Sequence, residues 1–295
     1  MSFVLMLAAA FSVGAVSVGA AAPATPSESS QTIVVEGLRD RRKPANDYLD
    51  KVIPPVFDAQ LGRFEDRLCP SVIGLPDNLK GEVMARLRQV AAAAAVPLAS
   101  GHCTANLMLI VVDDKKAMIE GMRREKQAYF YGIGNDRVKR LESSASPVAA
   151  WQISDVIGAD GVPLRFDGDG FPRLFTTSSP SRLTTTTRSR LLAAVVIIET
   201  RGLRDVSTRQ LADFALVRGL APTQLKERVA PSSSVMSLFN PGVRPQDAPQ
   251  SLTWWDLMFL KALFDVRGDV IAGTQRTEIR DRMVKEMAKV PPEQR

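Results

Sequence analysis

Leu107-Met108-Leu109-Ile110-Val111-Val112-Asp113-Asp114 is an unbroken apolar, largely β-branched run that stops at two acids. A run of this length with no polar alternation reads as a strand buried on both faces, and the acids are positioned to cap the helix that follows. That helix carries Ala117, Ile119 and Met122 and leads into the basic face of Arg123, Arg124 and Lys126. Upstream, Leu79, Val83, Leu87 and Val90 recur at helical spacing, with Asp77 expected as the cap and Pro97 beyond the end. Helix, buried strand and helix in succession point to α/β or α+β packing, and of the two the α+β class, a mixed sheet packed by helices, is expected.

Downstream the pattern repeats. Leu191 to Glu199 reads as a second buried strand, and Ser207-Thr208-Arg209-Gln210 has capping-box spacing for a helix running through Leu220, stopped by Pro222. Ala230 to Pro249 reads as a long Pro/Ser loop. Thr253-Trp254-Trp255-Asp256 opens a helix ending near Phe264, and Thr274 to Lys289 a terminal one with Ile279, Met283 and Met287 on one stripe. Between the two strands, Gly158 to Pro180 alternates Gly, Asp and Pro with Leu164, Phe166, Phe171, Leu174 and Phe175. Hairpins are expected there, turning at Asp160-Gly161 and Asp167-Gly168-Asp169-Gly170.

The N-terminus bears on location. Phe3 to Ala22 holds no charge, and Val18-Gly19-Ala20 presents small residues at a peptidase-type cleavage site. Residues 1–20 are therefore expected to be a signal peptide of a periplasmic or secreted protein. No basic residue precedes the run, and about 20 apolar residues also suffice to span a bilayer, so an uncleaved anchor is the rival reading. Residues 21–46, rich in Ala, Pro, Ser and Thr and then in Arg, read as a flexible linker. A single domain over residues 47–295 is expected to follow.

Composition narrows the chemistry. The net charge of +6 is spread along the chain. For an exported protein it points to anionic envelope components rather than nucleic acid, and to membrane contact only through the N-terminal run if that run is uncleaved. Cys69 and Cys103 are the whole thiol inventory, expected as one disulfide in an oxidising compartment. Closing their loop of about 35 residues is worth roughly 4 kcal/mol on the loop-entropy model. The single histidine, His102, is expected on a surface loop beside a bonded sulfur, so neither a Ser-His nor a Cys-His pair is available. One imidazole and two bridged sulfurs cannot build a typical zinc site, and no cofactor is expected. Gly132-Ile133-Gly134 lacks the rest of a phosphate loop, and Asp167-Gly168-Asp169-Gly170 lacks the distal acid of a calcium loop. The remaining route to catalysis is a carboxylate pair drawn from Asp113, Asp114, Glu199 and Asp213.

The stretch Leu191 to Phe264 resembles the catalytic half of zincin-type metallopeptidases. These proteins order a strand, a His-Glu-x-x-His-x-x-Gly-Leu helix, a Ser-Ile-Met or Met-type turn, and a helix opened by Leu-Thr-x-x-Asp. Here Ala194 to Glu199 is the strand, Leu211 to Leu220 the helix, Ser234 to Pro241 the turn and Leu252-Thr253-Trp254-Trp255-Asp256 the last opening. Placed by Gly219, the two metal-binding histidines fall on Ala212 and Leu216 and the catalytic glutamate on Asp213. The resemblance therefore implies a degenerate scaffold without its metal ligands. An ordinary amphipathic helix with Leu211, Ala215, Leu216 and Leu220 facing the core accounts for the same residues. Phe64-Glu65-Asp66-Arg67-Leu68-Cys69-Pro70 and Ala105-Asn106-Leu107 further resemble an uncharacterised family of bacterial exported proteins, implying an envelope location. Two functions follow as expectations. One is a non-catalytic binder of an envelope component or protein partner, with peptide lying along the strand that ends at Glu199 and Trp254 or Trp255 as anchor. The other is a carboxylate-dependent hydrolase of cell-wall glycan or peptide.

Overall fold

The buried apolar runs pair with one another at the centre of the molecule. The computed structural model describes residues 38–53, 60–182, 184–221 and 230–289, and residues Glu36–Arg295 form one compact unit. In chain order the elements are α1 (Leu38–Val52), β1 (Arg63–Phe64), β2 (Pro70–Ile73), α2 (Asp77–Ala93), β3 (Leu107–Val112), α3 (Lys115–Glu125), α4 (Asn135–Ser143), β4 (Val148–Gly158), β5 (Arg165–Phe166), β6 (Pro172–Arg173), β7 (Thr187–Glu199), α5 (Thr208–Leu220), α6 (Trp254–Asp265) and α7 (Ala272–Met287). The class is α+β, a mostly parallel mixed sheet packed by helices.

β7 organises the sheet. β4 lies antiparallel along it from Val148↔Ile198 to Gly158↔Thr187. β3 (Leu107↔Ala194 to Val112↔Glu199) and β1 (Arg63↔Arg190) run parallel to it. A strand has two edges; β4 takes one for its whole length, so β3 and β1 share the other. β2 then adds to β3. Period-two alternation sends the side chains to opposite layers. Leu107, Leu109, Ala194, Val196 and Ile198 join the larger core with α1, α2, α5, α6 and α7. Met108, Ile110, Val195, Ile197 and Trp151 join a smaller one under α3 and α4. Helices on both faces explain why β3 and β7 are apolar without interruption.

Several expectations change. Asp77 is the first residue of α2 and Pro76 occupies the cap position, with no side-chain bond there. The linker expected over 21–46 overlaps α1, whose Ala45, Tyr48, Leu49 and Val52 form a buried stripe. Burial of that stripe outweighs the helical N–H that Pro44 lacks. The rest of the linker, the signal segment and Pro222 lie outside the described residues. β4 and α4 carried no expectation, and β7 begins at Thr187 rather than Leu191. The loop from Ala230 contains a buried 3₁₀ turn, Val235–Phe239. The hairpin turn at Asp167–Gly170 is present, closed by the Gly170 N–H donating to the Asp167 carbonyl at 3.0 Å. Among the described residues no helix is long and apolar enough to cross a membrane.

Candidate functional site

α5 begins as its sequence dictates. The Ser207 hydroxyl accepts from the Gln210 N–H at 3.1 Å and the Gln210 side chain accepts from the Ser207 N–H, a complete capping box. Every residue from Gln210 to Leu220 is buried, so α5 is a central helix rather than an amphipathic one. Gly219 is favoured by close approach: a Cβ there would lie 2.3 Å from the Cδ1 of the buried Leu107. Ala212 and Leu216 are wholly buried hydrocarbon and present no donor atom to a metal. The zinc that the resemblance implies does not fit the residues present.

Asp213, at the position the resemblance gives to a catalytic glutamate, is fully buried and accepts three hydrogen bonds. The Arg86 guanidinium from α2 donates to it twice, Nε to Oδ1 at 2.7 Å and Nη2 to Oδ2 at 2.8 Å. The Leu252 N–H adds a third bond at 2.5 Å. This carboxylate ties α2, α5 and the approach to α6 together, and its burial keeps it from water.

A second buried carboxylate organises the turn beneath α5. Asp256 closes the capping box of α6 with Thr253. It also accepts from the Ser234 hydroxyl at 2.5 Å, the Val235 N–H at 2.8 Å and the Tyr48 hydroxyl at 2.7 Å. Burial pushes the Asp256 carboxyl above its ordinary range, opposed by these donors, and burial also drives the Tyr48 hydroxyl well up. The turn meets α5 through Phe239, whose ring stands edge-on to Phe214 at 4.6 Å. Capping spacing predicted the Thr253–Asp256 contact. Tyr48 and Arg86 were missed because they converge from helices far away in sequence, where no local spacing points to them.

The strand-end acids are likewise engaged. Asp114 caps α3, accepting from the N–H groups of Lys116 and Ala117. Asp113 accepts from the Thr200 hydroxyl at 2.6 Å. Glu199 accepts from the Lys115 N–H at 3.2 Å and pairs with Arg201 at 2.6 Å. Adjacent registers bring Asp113 and Glu199 to one end of the sheet, while Asp213 lies in the layer of α2 and α5. The four acids are therefore not one site.

β7 cannot receive a peptide, because both its edges carry strands. Trp254 and Trp255 are each half-buried, edge to face at 5.3 Å, and Trp255 stacks on Tyr48 at 5.6 Å. His102 is exposed. Cys69 and Cys103 stand at disulfide distance with Cα atoms 6.1 Å apart, joining the start of β2 to the loop before β3. A shallow cavity of about 360 Å³ is lined by Arg63, Phe64, Glu65, Arg188 and Phe264, among others. Arg63 donates from this wall to the Val266 carbonyl at the end of α6, and Arg188 pairs with Glu65 at 2.8 Å. Among the described residues no group of three or more His, Cys, Asp or Glu side chains is placed to hold a metal ion. Comparison of the chain with protein-family models, with characterised proteins and with solved structures finds no match.

Proposed function

We propose that the chain is an exported, non-catalytic protein that binds an envelope component or a protein partner, on a scaffold of degenerate peptidase type. One observation carries the reading: the groups available for catalysis are committed to holding the fold. Asp213 is wholly buried and bonded by Arg86 and Leu252, and Ala212 and Leu216 offer no ligand atoms. Glu199 and Asp114 serve Arg201, the Lys115 N–H and the first turn of α3. A general acid needs a carboxyl in reach of substrate with its own bonds left to make. The chain order of strand, helix, buried Ser-Val-Met turn and Thr-capped helix supports the scaffold reading, and the Cys69–Cys103 pair is compatible with an oxidising compartment.

Two measurements on the full chain test this. Thiol labelling after expression in a bacterium separates the compartments: export predicts a periplasmic fraction with no free thiol, and a cytoplasmic protein with two would refute it. The purified chain, with and without added zinc, is then incubated with peptidoglycan fragments and an unstructured protein substrate. The expected result is no turnover above a buffer control. Turnover abolished by chelation, or by Asp113→Asn or Glu199→Gln in folded protein, would replace this reading with a hydrolase.

A further inference from the structure

Arg63 is held on one side by backbone carbonyls and has no counter-ion. From β1 it reaches the C-terminal end of α6, where its Nη1 donates to the Leu263 carbonyl at 3.4 Å and to the Val266 carbonyl. A guanidinium carries five N–H donors, and those on Nε and Nη2 form a fork on the side turned away from Nη1. Among the described residues that fork makes no hydrogen bond, and Arg63 enters no ion pair. Four charges surround it: Glu65 and Asp265 attract, while Arg188 and Arg282 repel. They cancel, because each is taken by another: Arg188 pairs with Glu65 at 2.8 Å and Arg282 with Asp265 at 2.7 Å. The charge of Arg63 is left over. Burial is the main cause that holds its guanidinium below the ordinary range, and a charge removed from water without a partner is costly. Arg63 also lines the cavity of about 360 Å³, whose wall includes the apolar Phe64, Pro97 and Phe264. Sites for small organic ligands begin at roughly 300 Å³.

We infer that this cavity binds a small monocarboxylate with an apolar body, its carboxylate taken by the Nε–Nη2 fork of Arg63. Two parallel N–H groups match the two oxygens of a carboxylate, the pairing that arginine makes best. Charge sets the valence. The surplus around Arg63 is a single positive charge, so a second negative charge, as on phosphate, would face Glu65 with no further cation to meet it. The apolar wall favours a hydrocarbon substituent next to the acid, which a free acid and the C-terminal residue of a peptide both provide. Binding of this kind needs no catalytic group, so its failure would leave the non-catalytic reading above untouched.

The test titrates the isotope-labelled full chain with N-acetylalanine, an acetylated trialanine, N-acetylalaninamide and inorganic phosphate, followed by nuclear magnetic resonance. The two carboxylates should shift the Arg63 Nε–H and the amides of residues 63–65, 97 and 264, and the carboxamide and phosphate should not. Tighter binding of the trialanine identifies a peptide terminus, and equal binding a free acid. Arg63→Lys keeps the charge and removes the fork, and should weaken the carboxylates about tenfold. Glu65→Gln makes the surroundings of Arg63 one charge more positive; it should tighten the carboxylates and admit phosphate. Arg63 also bonds the end of α6, so if Arg63→Lys does not fold, the carboxylate–carboxamide comparison and Glu65→Gln decide. Absence of shifts in the parent overturns the inference, as do equal shifts with the carboxamide or with phosphate. A folded Arg63→Lys that binds as the parent does overturns it too.

Discussion

Removing either partner of the Arg86–Asp213 pair should destabilise the fold, and by unequal amounts. The Asp213 side chain is fully buried, whereas that of Arg86 retains 22% of its exposure. Arg86→Ala strips two charge-assisted bonds from a carboxylate that cannot reach water and leaves it only the Leu252 N–H. An uncompensated buried charge of this kind costs about 3–5 kcal/mol. Asp213→Ala leaves a guanidinium that can turn toward solvent and still bonds Gln89 at 2.9 Å. Its main loss is the acceptor for the Leu252 N–H, worth about 1–3 kcal/mol. The double variant should resemble Asp213→Ala, since with the carboxylate gone Arg86 has no buried charge to neutralise. Urea unfolding of the disulfide-intact chain gives all three values. If Asp213→Ala costs as much as Arg86→Ala, or if both lie within about 1 kcal/mol of the parent, the buried-anchor account of Asp213 fails. A site held open for chemistry then becomes the better description.

Three further outcomes follow from the geometry. Gly219→Ala should cost about 1–3 kcal/mol by overpacking against the buried Leu107 side chain; a neutral midpoint would show that Leu107 can swing aside or that α5 can lift off the sheet. Replacing both cysteines by alanine should lower stability by about 4 kcal/mol in non-reducing buffer, and a change under about 1 kcal/mol would mean that the loop before β3 needs no tether. Hydrogen bonds led by the Thr176 hydroxyl hold the Asp160 carboxyl down to about 2. A folded-state value below the unfolded one gives a contribution that is present above about pH 4 and lost as the pH falls toward about 2. Amide protection factors at 160–177, taken relative to the intrinsic exchange rate at each pH, should therefore fall across that window. In Asp160→Asn the protection should be lower already at neutral pH and lack the acid step; a parent hairpin whose protection is constant over that window would refute the assignment.

Some of this architecture was legible in local sequence. The unbroken runs Leu107–Val112 and Leu191–Glu199 required strands shielded on both faces, and Ser207–Gln210 and Thr253–Asp256 fixed the starts of α5 and α6, because a capping box closes within four residues. The cysteine pair and the hairpin turn at Asp167–Gly170 were also readable from spacing and turn chemistry. β4 was not: Val148-Ala149-Ala150-Trp151-Gln152-Ile153 has neither clean alternation nor a pure apolar run. It becomes a strand because β7 offers an open edge along its whole length.

The class of elements and the poverty of the chain in imidazole and free thiol could be read from local pattern and composition alone, since neither depends on contacts between distant residues. What each acid does was set by the fold. Asp213 read as a candidate acid, on a helix whose core face was expected to be Leu211, Ala215, Leu216 and Leu220, until Arg86, 127 positions away, met it, and Asp256 became a hub only when Tyr48 arrived from α1. A carboxylate's role is set by the donors around it and by its access to water, and both are fixed by contacts between residues distant in the chain.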